Sequence, residues 1–395
     1  MKKILFITTA YILKNSSAAI RNNSLVKGLA NLGYEVDVCT VEWPSDLRSP
    51  FFEKENNGNI HFDQLPNIMR IAKIKQSHTF QKRNKWMAEL RQTLKKILFF
   101  PDECYEWKKL FNWENLEQYE CLISSSDHKT SHFVGLKVKQ KSSSLPWIQI
   151  WGDPWSTDVN TLPVMKRLIN YYEKKILEGA DKIVYVSDVT KCEMQNKYPQ
   201  LRNKMYHVPR GFYFETEINA SMANQGCMRI VYTGVLSYGR DPFALLEALT
   251  KLMKNGLERK CVVEFYGNVP IDMANRLKSY PFVELHESTD FEHMPKVLAS
   301  ASILLYLSNK KGSSQIPGKL FDYMGTDKPI LCLVSDINEP TSLFLKQFKR
   351  CYVLNNSEET IMGNWHNIEN LSTRHFQSES QFTPMAIASQ IVKLL

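Results

Sequence analysis

A chain of 395 residues with 43% hydrophobic content is apolar enough to be globular and too long for one ordinary compact core, which points to two domains. No stretch reaches the roughly 18 uninterrupted apolar residues of a membrane span. The opening MKKILFITTA runs straight into YILKNSSAAIRN, without the long apolar core and cleavage site of a signal peptide, so a cytoplasmic location is expected. The formal charge of +9 is unevenly spread: Arg70 to Lys96 holds nine basic residues and one acid, Glu89.

KKILFITT, Lys2 to Thr9, reads as a buried strand. AAIRNNSLVKGLANLGYEVDVCTVE then predicts a helix ending at Gly33 and a second strand over Glu35 to Val41, the opening of a parallel doubly wound sheet. The first turn, TTAYILKNSSAAIRN, contains no glycine. A dinucleotide fingerprint needs glycines there for the tight turn and for backbone approach to a pyrophosphate, which argues against a nicotinamide or flavin cofactor in this half. Within the basic stretch, Trp86, Leu90, Leu94, Ile97 and Leu98 recur at near-helical spacing. Such a helix either lies on an anionic membrane surface or packs on its own domain with a solvated basic face. No nucleic-acid motif accompanies the charge, so no nucleic-acid partner is expected.

YECLISSSD, PWIQIWGDPW and DKIVYVSD each read as an apolar strand ending in polar or turn residues, with SHFVGLKVKQK and LPVMKRLINYYEKKILEGA as intervening helices. The pattern-poor segment Glu215 to Met228 reads as a linker. It divides an N-terminal domain, 1–214, from a C-terminal one, 215–382, and a last helix within 383–395 must dock elsewhere, with the first domain as the expected place. The second sheet is built from RIVYTG, CVVEFYGN, FVELHES, SILLYLS and PILCLV. Eight scattered cysteines show no paired short spacing for zinc and read as reduced core thiols.

Ligands of doubly wound sheets bind at the carboxyl ends of strands. Gly234 and Arg240 follow one predicted strand of the second half, Tyr266 and Gly267 another, and Ser313 to Lys319 a third. A helix beginning near Pro317 offers free N–H groups to a phosphate, Lys319 and Arg240 can neutralise its charge, and Asp322, one turn on, can accept hydrogen bonds from a ribose diol. The plainer alternative is a surface lysine and a carboxylate that merely favours the helix start. In the first half, His128 and His132 follow a strand; a satisfied structural histidine is the alternative for His132. Asp153 ends another strand, where it lies near a reacting hydroxyl or simply forms the turn before Pro154.

PGKLFDYMGTDKPIL resembles the donor-site helix of retaining GT-B glycosyltransferases, in the large group 1 (family 4-like) superfamily of bacterial surface-polysaccharide enzymes. Members often show Pro-x-Lys-x-Phe-Glu-Tyr-Met followed by Gly-Lys-Pro. VYTGVLSYGRDP is similar to the family's Gly-Arg-Leu segment followed by Lys-Gly, and PRGFYF to its Pro-Asn-Gly turn. The resemblance covers nearly the whole chain. It departs at Val235 (usually arginine), Arg240 (lysine), Asp322 (glutamate), Ser314 (the first glutamate of a pair) and Arg210 (asparagine).

The resemblance implies a GT-B fold, two Rossmann-like doubly wound α/β domains facing an interdomain cleft. It implies a glycosyltransferase that moves sugar, with retention, from a nucleotide-diphosphate sugar to a saccharide or lipid-linked acceptor in capsule, O-antigen or lipopolysaccharide biosynthesis. A UDP-sugar is the expected donor, with no cofactor and no metal, and the enzyme would sit peripherally on the inner face of the plasma membrane through Arg70–Lys96. His132 and Asp153 are the expected catalytic residues. Gly234, Arg240, Tyr266, Ser314, Pro317, Gly318, Lys319, Leu320 and Asp322 are the expected donor-binding residues, with the base read by backbone near His286 to Asp290. Two alternatives remain: a nucleotide-sugar 2-epimerase of the same architecture, which needs acid and base groups around the sugar, and a non-catalytic sugar-nucleotide-binding partner.

Overall fold

The computed structural model describes residues 2–55, 57–66, 68, 97–157, 161–215, 226–237, 239–309 and 316–395. The basic stretch Arg70–Lys96, most of the expected linker and Ser314 lie outside the described residues. Contacts divide the chain into two units, Met1–Gly211 with Thr383–Leu395, and Phe212–Phe382.

The first unit holds a seven-stranded sheet: β1 (Lys3–Ile7), β2 (Glu35–Val41), β3 (Asn59–Asp63), β4 (Tyr119–Ser126), β5 (Trp147–Trp151), β6 (Lys182–Tyr185) and β7 (Met205–His207), in the order β3-β2-β1-β4-β5-β6-β7. The second holds six strands: β8 (Cys227–Thr233), β9 (Lys260–Tyr266), β10 (Val283–His286), β11 (Ile303–Leu307), β12 (Ile330–Val334) and β13 (Cys351–Asn355), ordered β10-β9-β8-β11-β12-β13. Every pairing between these strands is parallel. Two parallel-sheet α/β domains are therefore present, as the sequence leads one to expect. Parallel strands covered on both faces read as continuous apolar runs, and ILCLV of β12 is buried at every position. The edge strands β3, β7, β10 and β13 are each buried at one position or none.

Both sheets change direction at one place, beside β1 in the first and β8 in the second, which leaves the carboxyl ends of β1 and β4, and of β8 and β11, as the natural ligand crevices. Four helices matter for what stands there. These are α1 (Ser17–Asn31), capped by Ser16, α2 (Thr130–Lys141), α3 (Gly318–Met324) and α4 (Pro384–Val392), capped by Thr383. α4 packs against α1 with so little clearance that a Cβ on Gly28 would lie 2.0 Å from the Pro384 carbonyl oxygen. In the second unit, Leu245, Leu246 and Leu249 pack on Ile230, Tyr232, Val263, Phe265 and Leu305. Among the described residues all eight cysteines are free thiols, and no helix is long and apolar enough to cross a membrane.

Candidate functional site

Each unit gathers polar groups at its own switch point. In the second, β8 ends at Thr233 and the chain turns through Gly234 at φ +94°, with the Gly234 N–H donating to the Tyr266 carbonyl at 2.8 Å. The neighbouring turn after β9 comes so close that a Cβ on Gly267 would lie 2.6 Å from the Gly234 oxygen. Lys319, in the first turn of α3, donates from Nζ to the Thr233 carbonyl at 2.6 Å and lies 3.5 Å from the centroid of the Tyr232 ring. Burial, and secondarily the charge of Arg240, hold its pKa well below the usual lysine value.

Arg240 donates to the Val235 carbonyl at 2.8 Å and reaches the Tyr232 hydroxyl at 3.4 Å, so it braces the Val235 turn while carrying a second positive charge near Lys319. Pro317 occupies the cap position of α3 in extended conformation, Gly318 begins the helix, and the Leu320 N–H is already bonded to the Pro317 carbonyl at 3.0 Å. Leu320 itself is a core residue with no exposure, and Asp322 is half-buried. α3 is fixed by Tyr323, whose hydroxyl accepts from the Thr233 N–H and lies 3.0 Å from the Thr233 hydroxyl. Tyr266 stacks on His286 with centroids 4.3 Å apart and donates to Glu264 at 3.0 Å; burial, then Glu264, push its pKa up to about 12. The structure thus brings Gly234, Arg240 and Lys319 together, and sets Tyr266 in a second cluster on β9 and β10.

In the first unit the carboxyl ends of β1, β4 and β5 meet a run of buried polar residues on α1. Asn22 donates to the Thr8 hydroxyl (2.9 Å) and the Ala10 carbonyl (2.8 Å) and accepts from Ser125 (2.7 Å). Arg21 donates to the Ser126 carbonyl (2.7 Å) and the Ser125 hydroxyl (3.1 Å), with Asp127 3.7 Å away. The backbone at Gly152 comes close to this cluster, where an added Cβ would lie 2.6 Å from Arg21 Nη1.

The two histidines differ sharply. His132 is fully buried, with Nδ1 2.8 Å from the Ser124 hydroxyl and its ring 4.3 Å from Trp151. Burial first, then Lys129 and Arg21, drive its pKa well below 6.5, so it is a neutral ring. His128 places Nδ1 2.9 Å from the Thr9 hydroxyl and Nε2 3.8 Å from Glu103. Burial pulls its pKa down, but Glu103, Asp102 and Asp127 outweigh it and the net shift is upward. Asp153 is exposed beyond β5, its carbonyl accepting from Lys129 at 2.9 Å. Sequence reasoning missed Arg21, Asn22 and Glu103; the polar run RNNS inside an otherwise apolar helix was the available signal.

No family model matches the sequence, and no curated protein matches it. Solved structures do. The S. aureus MnaA–UDP co-structure aligns with a TM-score of 0.53 at 14% identity, covering 99% of this chain and 95% of that one. A protein from Listeria monocytogenes assigned as a UDP-N-acetylglucosamine 2-epimerase aligns with a TM-score of 0.54 at 10% identity, covering 100% and 96%. These likenesses establish the fold over the whole chain. They also overturn the expected retaining glycosyltransferase of the group 1 superfamily, and with it sugar transfer and surface-polysaccharide assembly, because the Listeria structure is assigned as an epimerase and neither of the two is described as a glycosyltransferase. The physical reason is that PGKLFDYM encodes a helix start and its packing, which one fold can carry through different reactions, so it holds architecture and not reaction. Neither a saccharide or lipid-linked acceptor nor a membrane surface gains support from them.

Proposed function

We propose that the protein binds a UDP-sugar and inverts its sugar at C2, as a nucleotide-sugar 2-epimerase. The observation that carries the reading is the desolvated ammonium of Lys319 at the switch point of the second sheet, with Arg240 beside it, in a chain that aligns end to end with a UDP-bound structure. An ammonium kept from water is a strong partner for a diphosphate. Gly234, Pro317 and Gly318 shape the backbone around it, and Asp322 is the residue for the ribose.

Epimerisation breaks and remakes a C–H bond, so one group must take a proton and another must return one. The first unit carries titratable groups beyond its strand ends, Asp127 and His128 after β4 and Asp153 after β5, with Glu103 beside His128. His128 is the better proton carrier near neutral pH because its pKa is raised, whereas His132 is held neutral in the core. No acceptor and no membrane enter this reaction.

The test is incubation of the full chain with UDP-N-acetylglucosamine in D₂O, followed by proton NMR. Deuterium at C2 together with the C2 epimer is the expected result. UDP binding without exchange would make the protein a binder without turnover, and absence of binding would remove Lys319 from the role assigned to it.

A further inference from the structure

We infer that Glu264, Glu284 and His286 form a site for one divalent metal ion of the zinc class, separate from the Lys319 centre. β9 and β10 pair in register with Glu264 opposite Glu284 and Tyr266 opposite His286, and the two-residue period of a strand puts all four side chains on one face. One ligand atom from each of the two glutamates and the histidine lies within 4.8 Å of the others.

The separations are those of metal ligands. His286 Nε2 lies 3.6 Å from Glu264 and 3.5 Å from Glu284, yet makes no hydrogen bond. Metal–ligand bonds of about 2.0–2.2 Å in tetrahedral geometry set ligand atoms roughly 3.4 Å apart.

A second observation is independent of the cluster's composition. Glu264 is completely buried, and its Oε1 has no hydrogen-bond partner among the described residues. The other oxygen, Oε2, is held by Arg229 at 2.8 Å and Tyr266 at 3.0 Å. Oε2 is also the oxygen that lies 3.6 Å from His286 Nε2, so its outer donors orient the carboxylate toward the imidazole, while Glu264 Oε1 and His286 Nε2 are left as unpartnered atoms of one cluster that an ion would satisfy. The His286 ring is fixed by stacking on Tyr266, at an interplanar angle of 12°. Glu284 is exposed, which leaves a route for the ion. An imidazole among the ligands, with Arg229 already offsetting one carboxylate, favours zinc or cobalt over magnesium and calcium, which prefer all-oxygen sites. Three protein ligands leave a fourth position for water or a substrate oxygen.

The inference does not rest on the epimerase reading, since its readout is metal binding. The chelator-treated full chain is titrated with Zn²⁺ by calorimetry and with Co²⁺ by visible absorption, beside Glu284→Gln, His286→Asn and the double variant. Circular dichroism checks folding, and both altered residues are at least partly exposed. The expected result is one equivalent of metal with cobalt d–d bands of a four-coordinate site. Either single change weakens binding by about tenfold or more, and the double change abolishes the bands. No stoichiometric binding, or equal binding by the double variant, overturns the site and leaves His286 as a ring packed on Tyr266 between two carboxylates.

Discussion

Lys319 donates to a neutral carbonyl and rests on an aromatic ring, and burial followed by Arg240 depresses its pKa. Between that lowered value and the ordinary 10.5 the unfolded chain binds more protons than the folded one, so this residue makes stability rise with pH through that window. A bound diphosphate favours the charged form. UDP affinity should therefore fall as pH rises through the depressed value, and binding above that value should take up protons, measurable by calorimetry in buffers of different ionisation enthalpy. Lys319→Ala should weaken UDP binding by about 1.5–3 kcal/mol; unchanged affinity would exclude it from the site. His128 behaves oppositely. Its raised pKa gives a contribution to stability that is complete below about 6.5 and disappears as pH rises through the folded value. Glu103→Gln should lower that pKa, seen in the imidazole proton shifts during an NMR titration; an unmoved titration would separate the two residues.

At the scale of elements, α3 has only seven residues and cannot hold itself. It is held from its carboxyl end by Arg350, a wholly buried arginine that donates to the carbonyls of Tyr323 (3.2 Å), Met324 (2.9 Å) and Thr326 (2.5 Å). Arg350→Met should remove the Thr326 carbonyl's arginine donor and one donor each from Tyr323 and Met324, whose carbonyls still accept from Thr326 and Glu379, and cost about 1–3 kcal/mol in urea unfolding, with UDP affinity falling as α3 loosens. An unchanged urea midpoint would refute that bracing role.

The sequence made the central strands and α1, α2 and α3 legible, because burial on both faces leaves unbroken apolar runs. It did not reveal β3, whose five positions are all at least partly exposed, nor β7, which has only three residues, nor β13, where Leu354 alone is buried. Arg21, Asn22 and Asn23 look like the wet side of a helix until strand ends from β1 and β4 cover them, a relation no local pattern contains. Glu264 and His286 likewise meet only through strand pairing. The start of α3 at Pro317 was readable as architecture; the reaction was borrowed from a resemblance and fell with it.

At the scale of the molecule, the chain leaves the first unit after Gly211 and returns to it at Thr383. The second unit is one continuous segment with its own core, whereas the first is assembled from both ends of the polypeptide. Residues 212–382 should consequently fold when produced alone. A chain ending at Phe382 should show an early, separate thermal transition for the first unit, because α1 loses Ile387, Ala388 and Ile391, all buried in the whole protein. Calorimetric scanning of the two forms would decide it, and superimposable traces would mean that α4 adds nothing to the fold.

The place of α4 also imposes an order on birth. α1 is translated before the second unit, but the helix that covers it is translated only after that unit, so the first unit is completed after the second. Throughout synthesis of the second unit the nascent first unit carries an uncovered apolar stripe, and for that interval it is a client for whatever in the cell shelters unfinished chains.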